Sequence, residues 1–223
     1  APEQPIYGSV WSGITLVMRS PYLLGIVLLM ILFTTLATFL YLMQAQIIRD
    51  AFVDSAQRTA VFASIDLVVN ALTLLLQLFV TSRLIQRFGL PVVLAIIPLL
   101  LAAGFLLLGI SPLLSILLLV QIIRRAGNYA LMRPAREMLY VVLSREEKYR
   151  AKNVIDTVVY RGGDAANVWL YALLGTAGLG IAGIALTGVA IASVWAGVAW
   201  RLGRAFSRVV EPPAAEVPGR GLP

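Results

Sequence analysis

Apolar runs of about twenty residues recur along this chain. That length sets the solvent, because a helix rising 1.5 Å per residue needs about 20 residues to cross a hydrocarbon layer roughly 30 Å thick. Composition agrees. Hydrophobic residues make up 60% of the 223 and charged residues only 13%, against roughly 45–50% and 25% in an ordinary soluble domain. The chain is therefore expected to be all-α and integral to a lipid bilayer.

Six spans are predicted, at residues 21–44, 60–82, 90–109, from 112 to beyond 130, 153–174 and 179–202. Pro21, Pro91 and Pro112 sit at span starts, where a missing N–H costs nothing, while Pro98 inside the third span predicts a kink. Ser144-Arg145-Glu146-Glu147 has the capping-box pattern. The fifth helix is thus expected to start ahead of the bilayer, with Lys148, Arg150 and Lys152 in water. Three regions follow: a cytoplasmic or interfacial lead-in at 1–20, a six-helix bundle at 21–208 and a disordered cytoplasmic tail at 209–223. From Glu211 onward the tail has four prolines and two glycines. The chain opens Ala1-Pro2-Glu3 without a signal-peptide pattern and reads as a piece of a longer protein.

Orientation comes from the 18 Lys and Arg residues, because cytoplasmic loops retain positive charge. Arg19, Arg83 and Arg87, the basic residues from Arg124 to Lys152, and Arg201, Arg204, Arg208 and Arg220 all fall toward one side. The other side has Arg49 and Arg58, offset by Asp50 and Asp54. Both termini are expected in the cytoplasm. The net charge of +7 is accounted for by topology, so nucleic acid is not expected as a partner. With no Cys and no His, disulfides, thiolate metal sites and His-based catalysis are excluded. No cofactor, metal-binding or nucleophile motif is readable, which argues against an enzyme.

Polarity divides the spans into two kinds. The third has no ionisable or amide side chain between Leu90 and Gly109, and the sixth has none between Leu179 and Trp200. Both are expected at the periphery. In the sixth, Gly188, Ala192 and Ala196, and also Ser193 and Gly197, have the small-xxx-small spacing that lets helix backbones approach. The other four carry polar stripes at helical spacing. The first has Thr34, Thr38, Tyr41 and Gln44; the second has Asp66, Asn70, Thr73, Gln77 and Thr81. The fourth has Gln121, Arg124, Arg125 and Asn128; the fifth has Asn153, Asp156, Thr157, Tyr160, Arg161, Asp164 and Asn167.

Hydrocarbon cannot satisfy such groups, and a buried charge costs at least about 2.5 kcal/mol there, so they should face the bundle interior, a partner charge or water. Pairing of Arg124 and Arg125 with Asp164, between the fourth and fifth helices, is the expected arrangement. Asp66, Asn70, Gln77, Gln121, Arg124, Arg125, Asn128, Asp156, Tyr160, Arg161 and Asp164 are the candidate lining of a solute or ion path. The competing reading is that these groups only hold the bundle together. Gly162-Gly163 marks either a helix break beside such a path or a close approach to a neighbouring helix.

Two resemblances bear on this. Six spans with lipid-facing third and sixth helices resemble one half of a twelve-helix major facilitator transporter, and Ser82-Arg83-Leu84-Ile85-Gln86-Arg87-Phe88-Gly89 resembles a degraded form of that superfamily's basic loop between helices 2 and 3. The stretch Pro134-Ala135-Arg136-Glu137-Met138-Leu139-Tyr140, then Lys148 and Lys152, then Ile155-Asp156-Thr157-Val158 and Arg161-Gly162-Gly163, resembles the ATP/ADP translocases of plastids and intracellular bacteria. The shared positions are Pro134, Glu137, Met138, Tyr140, Ile155, Asp156, Arg161 and Gly163. Free-living bacterial relatives look closer still. Where that family has a lysine implicated in nucleotide transport, this chain has Asp164, which reverses the charge.

The resemblance implies a secondary transporter of a small polar or anionic, nucleotide-like solute in a bacterial inner membrane. It also implies an amino-terminal six-helix half on the same polypeptide. The alternative, from another class, is a non-transporting membrane module that anchors or assembles a larger complex.

Overall fold

The computed structural model describes residues 10–210, and every regular element among them is helical. The elements are α1 (Val10–Arg19), α2 (Pro21–Ala51), α3 (Ser55–Leu76), α4 (Ser82–Ile110), α5 (Leu114–Gly127), α6 (Arg133–Leu139), α7 (Arg145–Val154), α8 (Tyr160–Thr176) and α9 (Ile181–Val210). Three single π-helical turns, Gln77–Thr81, Asn128–Met132 and Ile155–Val159, join α3 to α4, α5 to α6 and α7 to α8. Four helical stretches are long and apolar enough to cross a membrane: Pro21–Ala51, Ser55–Ile110, Leu114–Leu139 and Ile181–Val210. The predicted tail beyond residue 210 and the first nine residues lie outside the described part.

The 56-residue stretch Ser55–Ile110 would be about 84 Å long if straight, nearly three hydrocarbon thicknesses. It is divided at Gly89, whose φ of 75° and ψ of 168° are non-helical. A side chain is disfavoured at that φ, so glycine supplies the bend. Pro98, where a kink is expected, shows no non-helical backbone, and the interruption at Gly89 falls in the expected connection between the second and third spans. Pro91 and Pro98 both lie inside α4.

Close contacts fix the helix directions. A Cβ on Gly203 would sit 2.4 Å from Pro91 Cα, and one on Gly188 2.5 Å from Phe105, so α9 runs antiparallel to the second part of α4. Gly104 faces Val120 and Gly127 faces Ile97, so α5 is antiparallel to α4 as well. Thr34 meets Gly163 while Phe39 meets Tyr171, which makes α2 and α8 parallel. Thr81 bonds to Ala130 and Asp66 to Arg125, which makes α3 and α5 parallel. The start of α2, the end of α6 and the end of α9 therefore gather at one end, where Tyr22 Oη donates to the Leu139 carbonyl at 2.8 Å.

At that end Ser144 begins α7 as the sequence predicts. Its hydroxyl accepts from Glu147 N at 3.3 Å, and Glu147 Oε2 accepts from Ser144 N at 3.1 Å. The Ser144 hydroxyl, which also donates to Glu147 Oε2 at 2.8 Å, and then the Ser144 amide hold the Glu147 carboxyl below its usual pKa range. The following basic residues are half-exposed and paired: Arg150 with Glu146, and Lys152 with Glu137 at 2.8 Å. The lead-in contains a helix, α1, that packs against α7.

The core runs along α2, which packs against α1, α5, α8 and α9. The most extensive helix pair is α4 with α9. Ala185, Gly188, Ala192, Ala196, Ala199 and Gly203 form a buried stripe on α9, whereas Ser193 and Gly197 are exposed. In lipid the apolar driving force between helices vanishes and close van der Waals contact replaces it, which is what a small-residue stripe provides. The outward sides, including Leu99, Leu106, Leu186 and Val194, are apolar and exposed.

Candidate functional site

The polar side chains separate into groups that tie helices together and groups that remain open. Asn167 on α8 is buried and serves α2 twice, accepting from Thr35 Oγ1 at 2.9 Å and donating to Thr34 Oγ1 at 3.2 Å. Gly163 stands one turn away, and a Cβ there would lie 2.9 Å from Thr34 Oγ1. So Gly163 serves close packing. α8 continues unbroken through Gly162-Gly163, and the helical irregularity lies just before α8, in the π turn Ile155–Val159.

A second tie links α2 to α5. Gln121 donates from Nε2 to Gln44 Oε1, and its own Oε1 accepts from Arg124 Nε at 2.8 Å. Both glutamines are buried. The chain Arg124–Gln121–Gln44 fixes the guanidinium through neutral amides, and no carboxylate pairs with it among the described residues. Tyr41, expected on the same stripe as Gln44, is instead 62% exposed.

The third tie corrects the expected pairing. Arg125 forms its ion pair with Asp66 of α3, and Asp164 has no ion pair among the described residues. The reason is placement. α3 packs directly against α5, whereas α2 lies between α5 and α8 and packs against both. Matching contacts along α2 also puts Asp164 roughly two turns, or about 11 Å, nearer the basic end than Arg124. A short carboxylate does not bridge that offset.

Two of the π turns face each other. Gln77 Nε2 donates to the Tyr129 carbonyl at 3.1 Å, and Thr81 Oγ1 donates to the Ala130 carbonyl at 2.8 Å and to Leu76 O at 3.0 Å. Asn128 begins the second of these turns and is half-buried. A π turn loosens the i→i−4 ladder, and here side-chain donors reach carbonyls of the loosened segments. Such turns recur at functional sites. Hydrophobic periodicity gives no signal for one inserted residue, so none of the three was legible in the sequence.

The remaining candidates stay open. Asn70 and Arg161 are exposed, Asp156 and Asp164 are half-buried, and none of the four makes a side-chain hydrogen bond or ion pair among the described residues. Tyr160 is partly exposed and lies within electrostatic reach of Asp164, Arg124, Tyr129 and Arg136. The structure thus brings together Asp66 with Arg125, Gln121 with Arg124, Gln77 with the turn begun by Asn128, and Tyr160 with Asp164. Asp156 lies near Tyr140. Thr35 is a member of the α2–α8 tie that stripe spacing did not single out.

The chain is 23% identical over 222 residues to ADP,ATP carrier protein 1 of Chlamydia trachomatis serovar D, an alignment covering 89% of this chain and 42% of that protein. It therefore spans less than half the length of the curated relative it matches. No solved structure matches it. The family model described as TLC ATP/ADP transporter matches residues 8–206, and the chain belongs to that family.

Proposed function

We propose that this chain is one six-span half of a secondary transporter that carries a small anionic, nucleotide-like solute by alternating access. Six alternating helical stretches support the span count: α2, α3, α4 from Leu90, α5 with α6, α7 with α8, and α9. The basic residues collected at one end support a reading in which both termini are cytoplasmic. In this reading the protein sits in a bacterial inner membrane. An amino-terminal half of major facilitator type, on the same polypeptide, covers the open polar surface.

One observation carries the proposal. On helices that this reading places in the bilayer, Asp66, Asn70, Gln77, Tyr160 and Arg161 are exposed, which hydrocarbon would penalise and a water-filled path between two halves would not. Arg124, held by neutral amides, and Arg161 offer positive charge to phosphate or carboxylate groups. Asp164 and Asp156 set a limit on how much anionic charge the path accepts, or bind a proton that is exchanged with the solute.

The test is uptake of labelled nucleotides and organic anions into vesicles containing the full-length protein, with and without a proton gradient. Arg124→Gln is expected to lower uptake at least tenfold while the protein stays folded. Asp164→Lys, which restores the cation of the ATP/ADP translocases, should shift preference toward more highly charged nucleotides. No uptake of any solute under either condition would overturn the proposal.

A further inference from the structure

The start of α2 and the end of α9 frame a groove of about 640 Å³ at the basic end. Its upper wall is Arg201, Arg204 and Arg208, at i, i+3 and i+7 on one face of α9. All three are exposed, and none forms an ion pair among the described residues. Deeper in, the lining turns apolar at Gly25, Leu28 and Val198.

Helix geometry gives the gradient its direction. From Pro21 to Leu28, α2 advances about 10 Å from the basic end, and from Arg208 back to Val198, α9 covers about 15 Å. Positive charge therefore sits at the rim and hydrocarbon at the floor. Tyr22, its hydroxyl fixed on the Leu139 carbonyl, lines the rim beside the arginines, and Trp200 adjoins Arg201 on the side of the apolar floor, where an aromatic side chain marks the interface. Gly25 keeps the floor open, since a Cβ there would already be 3.1 Å from Leu202 Cδ1.

We infer that this groove binds an anionic phospholipid of the cytoplasmic leaflet, with its phosphate among the three arginines and one acyl chain along Gly25, Leu28 and Val198. A free phosphate would use the rim and leave the apolar floor empty, whereas an amphiphile uses both. Setting topology requires basic residues on that side of the membrane but no groove beneath them. The inference rests on the membrane orientation proposed above and not on transport, because no candidate residue of the proposed path lines the groove.

The full-length protein in nanodiscs of mixed phosphatidylglycerol and phosphatidylcholine, released for native mass spectrometry, tests it. Retained phosphatidylglycerol should exceed phosphatidylcholine at least tenfold. Each of Arg201→Gln, Arg204→Gln and Arg208→Gln should weaken retention by roughly fivefold, the contribution of one juxtamembrane cation. The combination Arg133→Gln, Arg145→Gln and Lys148→Gln, which removes equal charge elsewhere at the same end, should change it little. A photoreactive phosphatidylglycerol on the unmodified protein should label peptides containing Trp200 and Leu28, which localises the site without any variant. Equal retention of the two lipids, labelling elsewhere, or displacement of phosphatidylglycerol by millimolar inorganic phosphate would each overturn the inference. Loss of uptake with lipid retention intact would count against the transport proposal alone.

Discussion

The α4–α9 pair and the α3–α8 pair occupy one small bundle and meet opposite demands. α4 and α9 lock together through small residues, with Gly188 under Phe105 and Gly203 under Pro91, and expose only apolar side chains over most of their length. α3 buries just Ile65 and Val69, and α8 buries just Asn167. Their remaining surface mixes exposed apolar residues such as Leu67 and Trp169 with Asp66, Asn70 and Arg161. One pair is built to stay fixed against lipid. The other keeps an unfinished face, which the proposed transport reading assigns to contact with a second half.

The sharpest way to break this comparison is to enlarge a glycine on each side of α9. Gly203→Leu drives a side chain into the Pro91 backbone and is expected to cost about 3 kcal/mol, at the upper end for overpacking. Gly197→Leu, with nothing within 4 Å of its Cβ position, should stay within about 0.5 kcal/mol. Thermal unfolding of the purified full-length protein in detergent measures both, and equal losses would mean the pair is not fixed as described.

A smaller effect tests the α2–α8 tie. Asn167→Ala leaves the Thr34 and Thr35 hydroxyls without their cross-helix partner and should cost about 1 kcal/mol by the same assay. Asp164→Asn, three residues away and unpaired, should leave stability nearly unchanged while altering uptake. A large stability loss from Asp164→Asn would move Asp164 from the path to the scaffold.

Ser144→Ala should cost about 1 kcal/mol as a lost N-cap. The capping box also predicts a pH dependence. Because the Glu147 pKa is lower folded than unfolded, its stabilisation is fully present above the ordinary carboxylate range of about 4.3, and it is lost as pH falls through the folded value. Hydrogen exchange in the first turn of α7 should accelerate only below that range, and acceleration near neutral pH would refute the assignment.

The smallest expected effect is at Asp66 and Arg125, a half-exposed pair. A double-mutant cycle with Asp66→Asn and Arg125→Gln should give a coupling of about 0.5 kcal/mol. A value of several kcal/mol would place the pair in a dry interior and remove it from an aqueous path.

The sequence by itself determined what depends on neighbours a few residues apart. The apolar runs decided which segments are long helices, because every backbone group in lipid must be satisfied within the helix. Ser144 and Glu147 decided where α7 starts, and the small-residue spacing in α9 identified a packing face. Which α9 stripe is buried, and against which helix, was left to the tertiary structure, because Gly188–Ala192–Ala196 and Ser193–Gly197 have the same spacing.

Partner choice was decided the same way. Arg125 pairs with Asp66 and not with Asp164 because α2 separates α5 from α8, a matter of helix order around the bundle that periodicity does not encode. The three π turns were likewise left to the packed bundle, because hydrophobic periodicity does not register one inserted residue. Local chemistry settled the solvent, the elements and their caps; only the packed bundle settled which polar groups close on each other and which stay open.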